Sequence, residues 1–182
     1  NLSVEKTLSL NPNLLMCSGS ELLSPSLLSL QKAGVPIFQN LDWQELHPLG
    51  RAEWIKLFGE LYGKTDEANA YFELEKSKYE HLVAQAKNLS PEGKTVVLGH
   101  NYQGTWYLPG GRSYVAQFLK DANCQYDRSN DTTTGSIALN YEIAFSSYQQ
   151  SKYWLNPGGA RSLSELASFD KRYKHLAAFQ NK

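Results

Sequence analysis

The side chains best equipped for chemistry gather in two segments, Trp43 to His47 and Gly99 to Ser113. The second opens with Gly99-His100-Asn101-Tyr102-Gln103-Gly104-Thr105-Trp106, which has the glycine spacing of a phosphate loop. No lysine follows Gly104 to reach the phosphates, so a nucleotide site is set aside. Ser18, Ser20 and Ser113 lack the G-x-S-x-G turn that presents a hydrolase nucleophile. His47, His81, His100 and His175 are scattered and make no H-E-x-x-H pair on one helix face. A lone histidine is ordinarily a surface or hydrogen-bonded residue rather than a ligand.

What remains is recognition. Trp43, Glu45 and His47 follow the apolar run Ile37-Phe38, and Tyr102, Trp106 and Tyr107 follow Val96-Val97-Leu98. In an open parallel sheet the ligand crevice lies beyond the carboxyl ends of the strands, and aromatic walls with a few charges suit a bulky, partly apolar ligand. Gly110-Gly111-Arg112-Ser113 adds a guanidinium and exposed backbone N–H groups at a helix start, which suits an anion. The candidate ligand-binding residues are therefore Trp43, Glu45, Tyr102, Trp106 and Arg112. In this reading the aromatics stack on the ligand, Arg112 meets its negative charge, and Glu45 accepts hydrogen bonds or touches a metal. The competing reading is that Trp106 and Tyr107 pack a core and the glycines only turn the chain.

The elements that must position these groups alternate. Ser3 caps a helix that Asn11-Pro12-Asn13 stops, Leu14 to Cys17 forms a strand, and Ser18-Gly19-Ser20 turns the chain. Ser24-Pro25 starts a helix ending near Ala33-Gly34, followed by a strand at Val35 to Phe38. Pro48 to Lys87 reads as helical with one break at Gly63-Lys64-Thr65, and Thr65 or Asp66 caps the second helix. Ala68, Phe72, Tyr79, Leu82, Val83 and Ala86 lie near one of its faces. After the turn Ser90-Pro91-Glu92-Gly93 come a strand from Lys94 to Gly99, a helix from Ser113 to Ala122, and a short strand at Gln125-Tyr126. A helix capped by Asn140, a strand at Tyr153 to Leu155, and a helical stretch from Ser162 to the end complete the chain. The pattern predicts an α/β protein with mainly parallel sheets covered by helices. Its parts are residues 1–63, a long helix over 64–90, which is either an ordinary amphipathic core helix or a connector, and residues 91–182.

Composition narrows the function classes. With 41% hydrophobic and 12% aromatic residues the chain can bury a real core. Lys+Arg and Asp+Glu are both 18, and no basic run supplies the footprint of nucleic-acid binding. Cys17 and Cys124 have neither metal-ligand spacing nor the density of a disulfide scaffold. No apolar run approaches the roughly 20 residues of a membrane-spanning helix. Ser3-Val4-Glu5 and Asn140-Tyr141-Glu142 echo one another as cap, hydrophobe and glutamate at a helix start. A carboxylate there is favoured by the helix dipole.

The run Leu46-His47-Pro48-Leu49-Gly50-Arg51-Ala52-Glu53-Trp54-Ile55-Lys56, the long helix, and Trp106-Tyr107-Leu108-Pro109-Gly110-Gly111-Arg112-Ser113-Tyr114 together resemble the substrate-binding proteins of iron-siderophore, haem and cobalamin ABC importers. The resemblance runs nearly end to end. It implies two Rossmann-like lobes bridged by one rigid helix, both lobes partial in this chain, with ligand held between them. It also implies that Glu5 and Glu142, one on each lobe, meet arginines of a membrane permease. The expected function is capture of an iron chelate or related metal complex outside the cytoplasm, with lipid anchoring of the whole protein left open. Delivery to the permease follows, with no catalysis and no cofactor beyond the transported species. Two alternatives stay open: a receptor for a free metal ion, with His47 and His100 beside Glu45 as candidate ligands, and an α/β enzyme using Glu45 or Asp131 as acid or base.

Overall fold

The computed structural model describes residues 2–18, 24–89 and 95–180. It is a mixed α/β protein whose chain separates into two compact units, Asn1–Asp42 and Trp43–Lys182. The expected turns at Ser18-Gly19-Ser20 and Ser90-Pro91-Glu92-Gly93 fall wholly or partly outside the described residues.

In the first unit, helix α1 (Val4–Ser9) starts where the Ser3 hydroxyl accepts a hydrogen bond from the Lys6 N–H. Strand β1 (Leu15–Ser18) pairs in parallel with β2 (Ile37–Asn40), Leu15 opposite Ile37. Between them α2 (Pro25–Lys32) is capped by Ser24, with proline in the first turn, where a missing N–H costs nothing. Cys17, Leu27, Leu30 and Val35 form the core, packed by Val4, Leu15 and Ile37.

The second unit begins in a 3₁₀ turn at Asp42–Gln44 and continues into α3 (Pro48–Leu61) and the 23-residue α4 (Thr65–Lys87). The cap of α3 is His47, whose Nδ1 accepts the Leu49 N–H at 3.1 Å. Neither Thr65 nor Asp66 caps α4: its cap residue is Lys64, which makes no side-chain capping bond. Of the face predicted to be apolar, Ala68 and Phe72 are buried, whereas Leu82 is 61% exposed. The remainder of that face lines an apolar groove of about 430 Å³ against Phe118 and Ala122.

Strand β3 (Val96–Leu98) pairs in parallel with β7 (Tyr153–Leu155), extended by a bridge from Thr95 to Gln125, which is all that forms of the strand expected at Gln125-Tyr126. The residues after β3 are not a loop. They form an antiparallel hairpin, β4 (His100–Tyr102) and β5 (Thr105–Pro109), closed by Gln103-Gly104 with φ of 51° and 86°. A third strand, β6 (Ser136–Asn140), pairs antiparallel with β5. Helix α5 (Tyr114–Asp121) follows β5, α6 (Tyr141–Tyr148) follows β6, and the predicted last helix is divided into α7 (Leu163–Phe169), a 3₁₀ helix (Lys171–His175) and α8 (Ala177–Gln180).

The hairpin fixes the core of this unit. Along β5, Trp106 and Leu108 face inward and Tyr107 outward, the period-two pattern of a half-buried strand. Gly99 (φ 74°) lets β3 pass directly into the hairpin. An added Cβ there would lie 1.8 Å from the Tyr107 carbonyl oxygen, an approach only glycine permits.

Candidate ligand-binding site

Three side-chain contacts bring the segment after β2 against α5. The Arg51 guanidinium of α3 lies 4.5 Å above the Tyr114 ring and donates a hydrogen bond to its hydroxyl. His47 Nε2 stands 3.7 Å from the Asp121 carboxylate. That carboxylate also accepts from the Tyr79 hydroxyl of α4 at 2.6 Å and from Gln117 Nε2 at 2.9 Å. Burial, together with the Asp121 carboxylate, pushes the Tyr79 phenol well above its ordinary range, so it is a permanent donor. Aromatic edges continue the seam, His47 to Tyr79 at 5.9 Å and Tyr79 to Phe118 at 5.8 Å. His47 and α3 thus meet α5 through Arg51, Tyr114 and Asp121, residues without a local sequence signal for ligand contact.

Around this seam the expected site residues differ in their fate. Trp43 is 41% exposed. Glu45 folds back over the start of α3, where its Oε1 accepts the Trp54 indole N–H at 2.8 Å and its Oε2 lies over Gly50. Arg112 is exposed, and its guanidinium makes no hydrogen bond or ion pair with the described residues. Tyr102 stands exposed at the hairpin tip.

Two expectations are corrected. Trp106 has no face for a ligand, because its ring is fully buried among Tyr141, Tyr148, Trp154 and Tyr173 and its Nε1 donates to the Leu98 carbonyl at 2.8 Å. The core reading is the one the structure has. Nor are the N–H groups of Gly110 to Ser113 open to an anion. Gly110 donates to Gly135, Arg112 to Thr133 and Ser113 to Gly110, and the Gly111 N–H faces the Asp131 carboxylate. A Cβ at Gly111 would lie 2.2 Å from the Arg128 carbonyl oxygen, so these glycines serve close packing on the 128–135 loop. What remains for an anion is the Arg112 side chain.

The alternatives meet the same test. Among the described residues, no group of three or more His, Cys, Asp or Glu side chains is placed to hold a metal ion. His47 is committed to capping α3, and the His100 ring packs beneath Gly158, where an added Cβ would sit 2.8 Å from its Cγ. Asp131 accepts the Thr133 N–H at 2.8 Å, which with the Thr133 side chain holds its carboxyl below the usual carboxylate range. That is the wrong direction for a general acid near neutral pH.

The two glutamates of the helix-start echo are exposed. Glu5 lies in the first turn of α1 and Glu142 in the first turn of α6. The Glu142 N–H is capped by Asn140 Oδ1 at 2.9 Å, and its Oε1 accepts from Arg172 Nη1 at 2.8 Å.

Comparison with known proteins identifies the frame that carries this seam. Residues 1–182 match the periplasmic binding protein family, and the chain belongs to that family. It is 27% identical over 182 residues to an uncharacterized lipoprotein of Methanocaldococcus jannaschii, covering 100% of this chain and 44% of that relative. A second uncharacterized protein of the same organism is 21% identical over 178 residues, covering 96% of this chain and 54% of its own length. The chain thus spans about half the length of the curated relatives it matches. Among solved structures, a periplasmic heme-binding protein of Vibrio cholerae superposes with a TM-score of 0.71 at 15% identity, covering 99% of this chain and 69% of that one. One from Pseudomonas aeruginosa gives 0.67 at 18%, covering 98% and 64%. At such identities the likeness establishes the fold.

Proposed function

We propose that the protein containing this chain is the extracytoplasmic substrate-binding component of an ABC importer. Its cargo in this reading is an iron chelate, haem or a related anionic metal complex, taken up as a transported species and not as a resident cofactor. The observation that carries the reading is the Arg51–Tyr114 stack between α3 and α5, with an exposed Trp43 shortly before α3 and, just before α5, an exposed Arg112 whose guanidinium makes no hydrogen bond or ion pair with the described residues. Aromatic faces and guanidinium groups fit a planar or bulky organic anion, whereas a bare ion needs a donor cluster that the described residues do not assemble. The heme-binding proteins of the same fold lend this support.

In this reading Glu5 and Glu142 are the carboxylates that meet the permease. Both are solvent-exposed, as docking requires. Such pairs orient a partner more than they tighten it. Thermal unfolding of the whole protein with haemin, a ferric siderophore, Zn²⁺ and Mn²⁺ separates the cargo classes. A ligand at a hundredfold excess over its Kd stabilises by about 2.7 kcal/mol. A rise in Tm with one chelate and none with bare ions is expected. A chelator-reversible rise with Zn²⁺ or Mn²⁺ alone would move the assignment to a free-ion receptor.

A further inference from the structure

Glu142 is built into a bracket, unlike an ordinary exposed carboxylate. Arg172 donates Nε and Nη2 to the two oxygens of Asp170 at 3.0 and 2.7 Å, and its backbone N–H donates to Asp170 Oδ1 at 3.0 Å. The Asp170 side chain is only 9% exposed and is itself tied to β4 by Asn101 Nδ2 at 3.2 Å. The guanidinium lies over the Tyr141 ring, its carbon 3.7 Å from the centroid. Two of its three nitrogens are thus fixed from one side and its plane from below, which leaves Nη1 as the one group aimed outward, at Glu142 Oε1. The Glu142 side chain remains 72% exposed, and the adjacent Ile143 is 57% exposed.

An isolated surface ion pair is held weakly, since each partner gives up rotamer freedom to make it. Here the arginine has given up its freedom to Asp170 and Tyr141 already, so only the glutamate is ordered by the pair. We infer that Arg172 is a positioning residue that holds Glu142 through Oε1 and presents Oε2 to a guanidinium or ammonium group of the partner, beside the apolar contact offered by Ile143. The two guanidinium groups then share one carboxylate without competing for one oxygen. This inference rests on the docking role of Glu142 and states how that carboxylate is prepared for its partner. Ordering one flexible side chain before association is worth roughly a two- to tenfold gain in affinity.

The test is binding of the whole protein to its ABC permease in nanodiscs, for wild type, Glu142→Ala, Arg172→Gln and the double variant. A second Arg172 variant, Asp170→Asn with Arg172→Gln, avoids leaving a buried carboxylate unpaired and keeps the experiment informative should the single substitution unfold the protein. The expected result is that Arg172→Gln weakens binding two- to tenfold when Glu142 is present and has no effect when Glu142 is alanine. Equal or tighter binding by Arg172→Gln overturns the inference while leaving docking intact. An equal loss in both backgrounds also overturns it, because Arg172 then acts only through the fold. If Glu142→Ala binds as wild type does, the docking reading fails and takes the inference with it.

Discussion

Replacing Trp106 distinguishes a core aromatic from a ligand-stacking one. The ring is fully buried, with neighbours at centroid distances of 5.6 Å (Trp154), 5.9 Å (Tyr141 and Tyr173) and 6.5 Å (Tyr148). Trp106→Ala therefore removes a large apolar surface and leaves a cavity lined by rigid rings that cannot collapse into it, at a cost of about 3–5 kcal/mol. Trp106→Phe keeps one stacked ring but deletes the N–H that meets the Leu98 carbonyl at 2.8 Å. The lost bond and the carbonyl left without it cost on the order of 1–3 kcal/mol. Urea unfolding of the whole protein, followed by far-ultraviolet circular dichroism, reads both as a fall in midpoint at constant slope. The same folded Trp106→Phe protein should bind its ligand with wild-type affinity. A Trp106→Ala loss below about 1 kcal/mol, or a Trp106→Phe protein of unchanged stability and weakened binding, would refute the placement of this ring.

Gly99→Ala puts a Cβ 1.8 Å from the Tyr107 carbonyl at a φ of 74°, so the junction of β3 and the hairpin must move, and the variant should lose several degrees in Tm or fail to fold. Arg172 beside Asp170 holds that carboxyl below its ordinary range. A depressed carboxylate contributes stability that is full above its unfolded value, about 3.9, and is lost as the pH falls through the lower folded value. Wild type and Asp170→Asn should therefore differ in urea midpoint at pH 6 and converge on acidification below pH 4, and a constant difference down to pH 2 would contradict the pairing. Charge reversal at Glu5 and Glu142 together should abolish uptake in a transport assay and leave ligand affinity unchanged, while preserved uptake would return both residues to plain helix capping.

Much of the frame was legible because it is written locally. Ser3, Ser24, Ser113 and Asn140 each start a helix as their types predict, and each accepts a backbone N–H in doing so. The helices α3 and α4 break where Gly63-Lys64 breaks them. The hairpin is masked in the sequence because its glycines at 99 and 104 and its polar Asn101 and Gln103 carry turn chemistry; β4 pairs with β5 alone, and the second partner of β5 is β6, some 30 residues on. The sequence signal for β6 is the alternation of Ile137 and Leu139 with the small or polar Ser136, Ala138 and Asn140. Trp106 illustrates the same limit: an aromatic after a strand fits a cleft wall and a core equally well, and the choice is made by Tyr141, Tyr148, Trp154 and Tyr173, all distant in sequence. Trp43 and Arg112 stand at the surface, whereas the link between Arg51 and Tyr114 spans 63 residues and has no local signature.

The central claim, that this family member takes up an organic metal complex through an aromatic and cationic wall, is tested most directly by tryptophan-fluorescence titration of the whole protein. Haemin, a ferric siderophore, cobalamin and bare Fe³⁺, Zn²⁺ and Mn²⁺ are the probes, each repeated with Arg112→Ala. The prediction is saturable quenching by one chelate at micromolar or lower concentration, weakened by the substitution. Silence toward every chelate, with or without a response to bare ions, would contradict it.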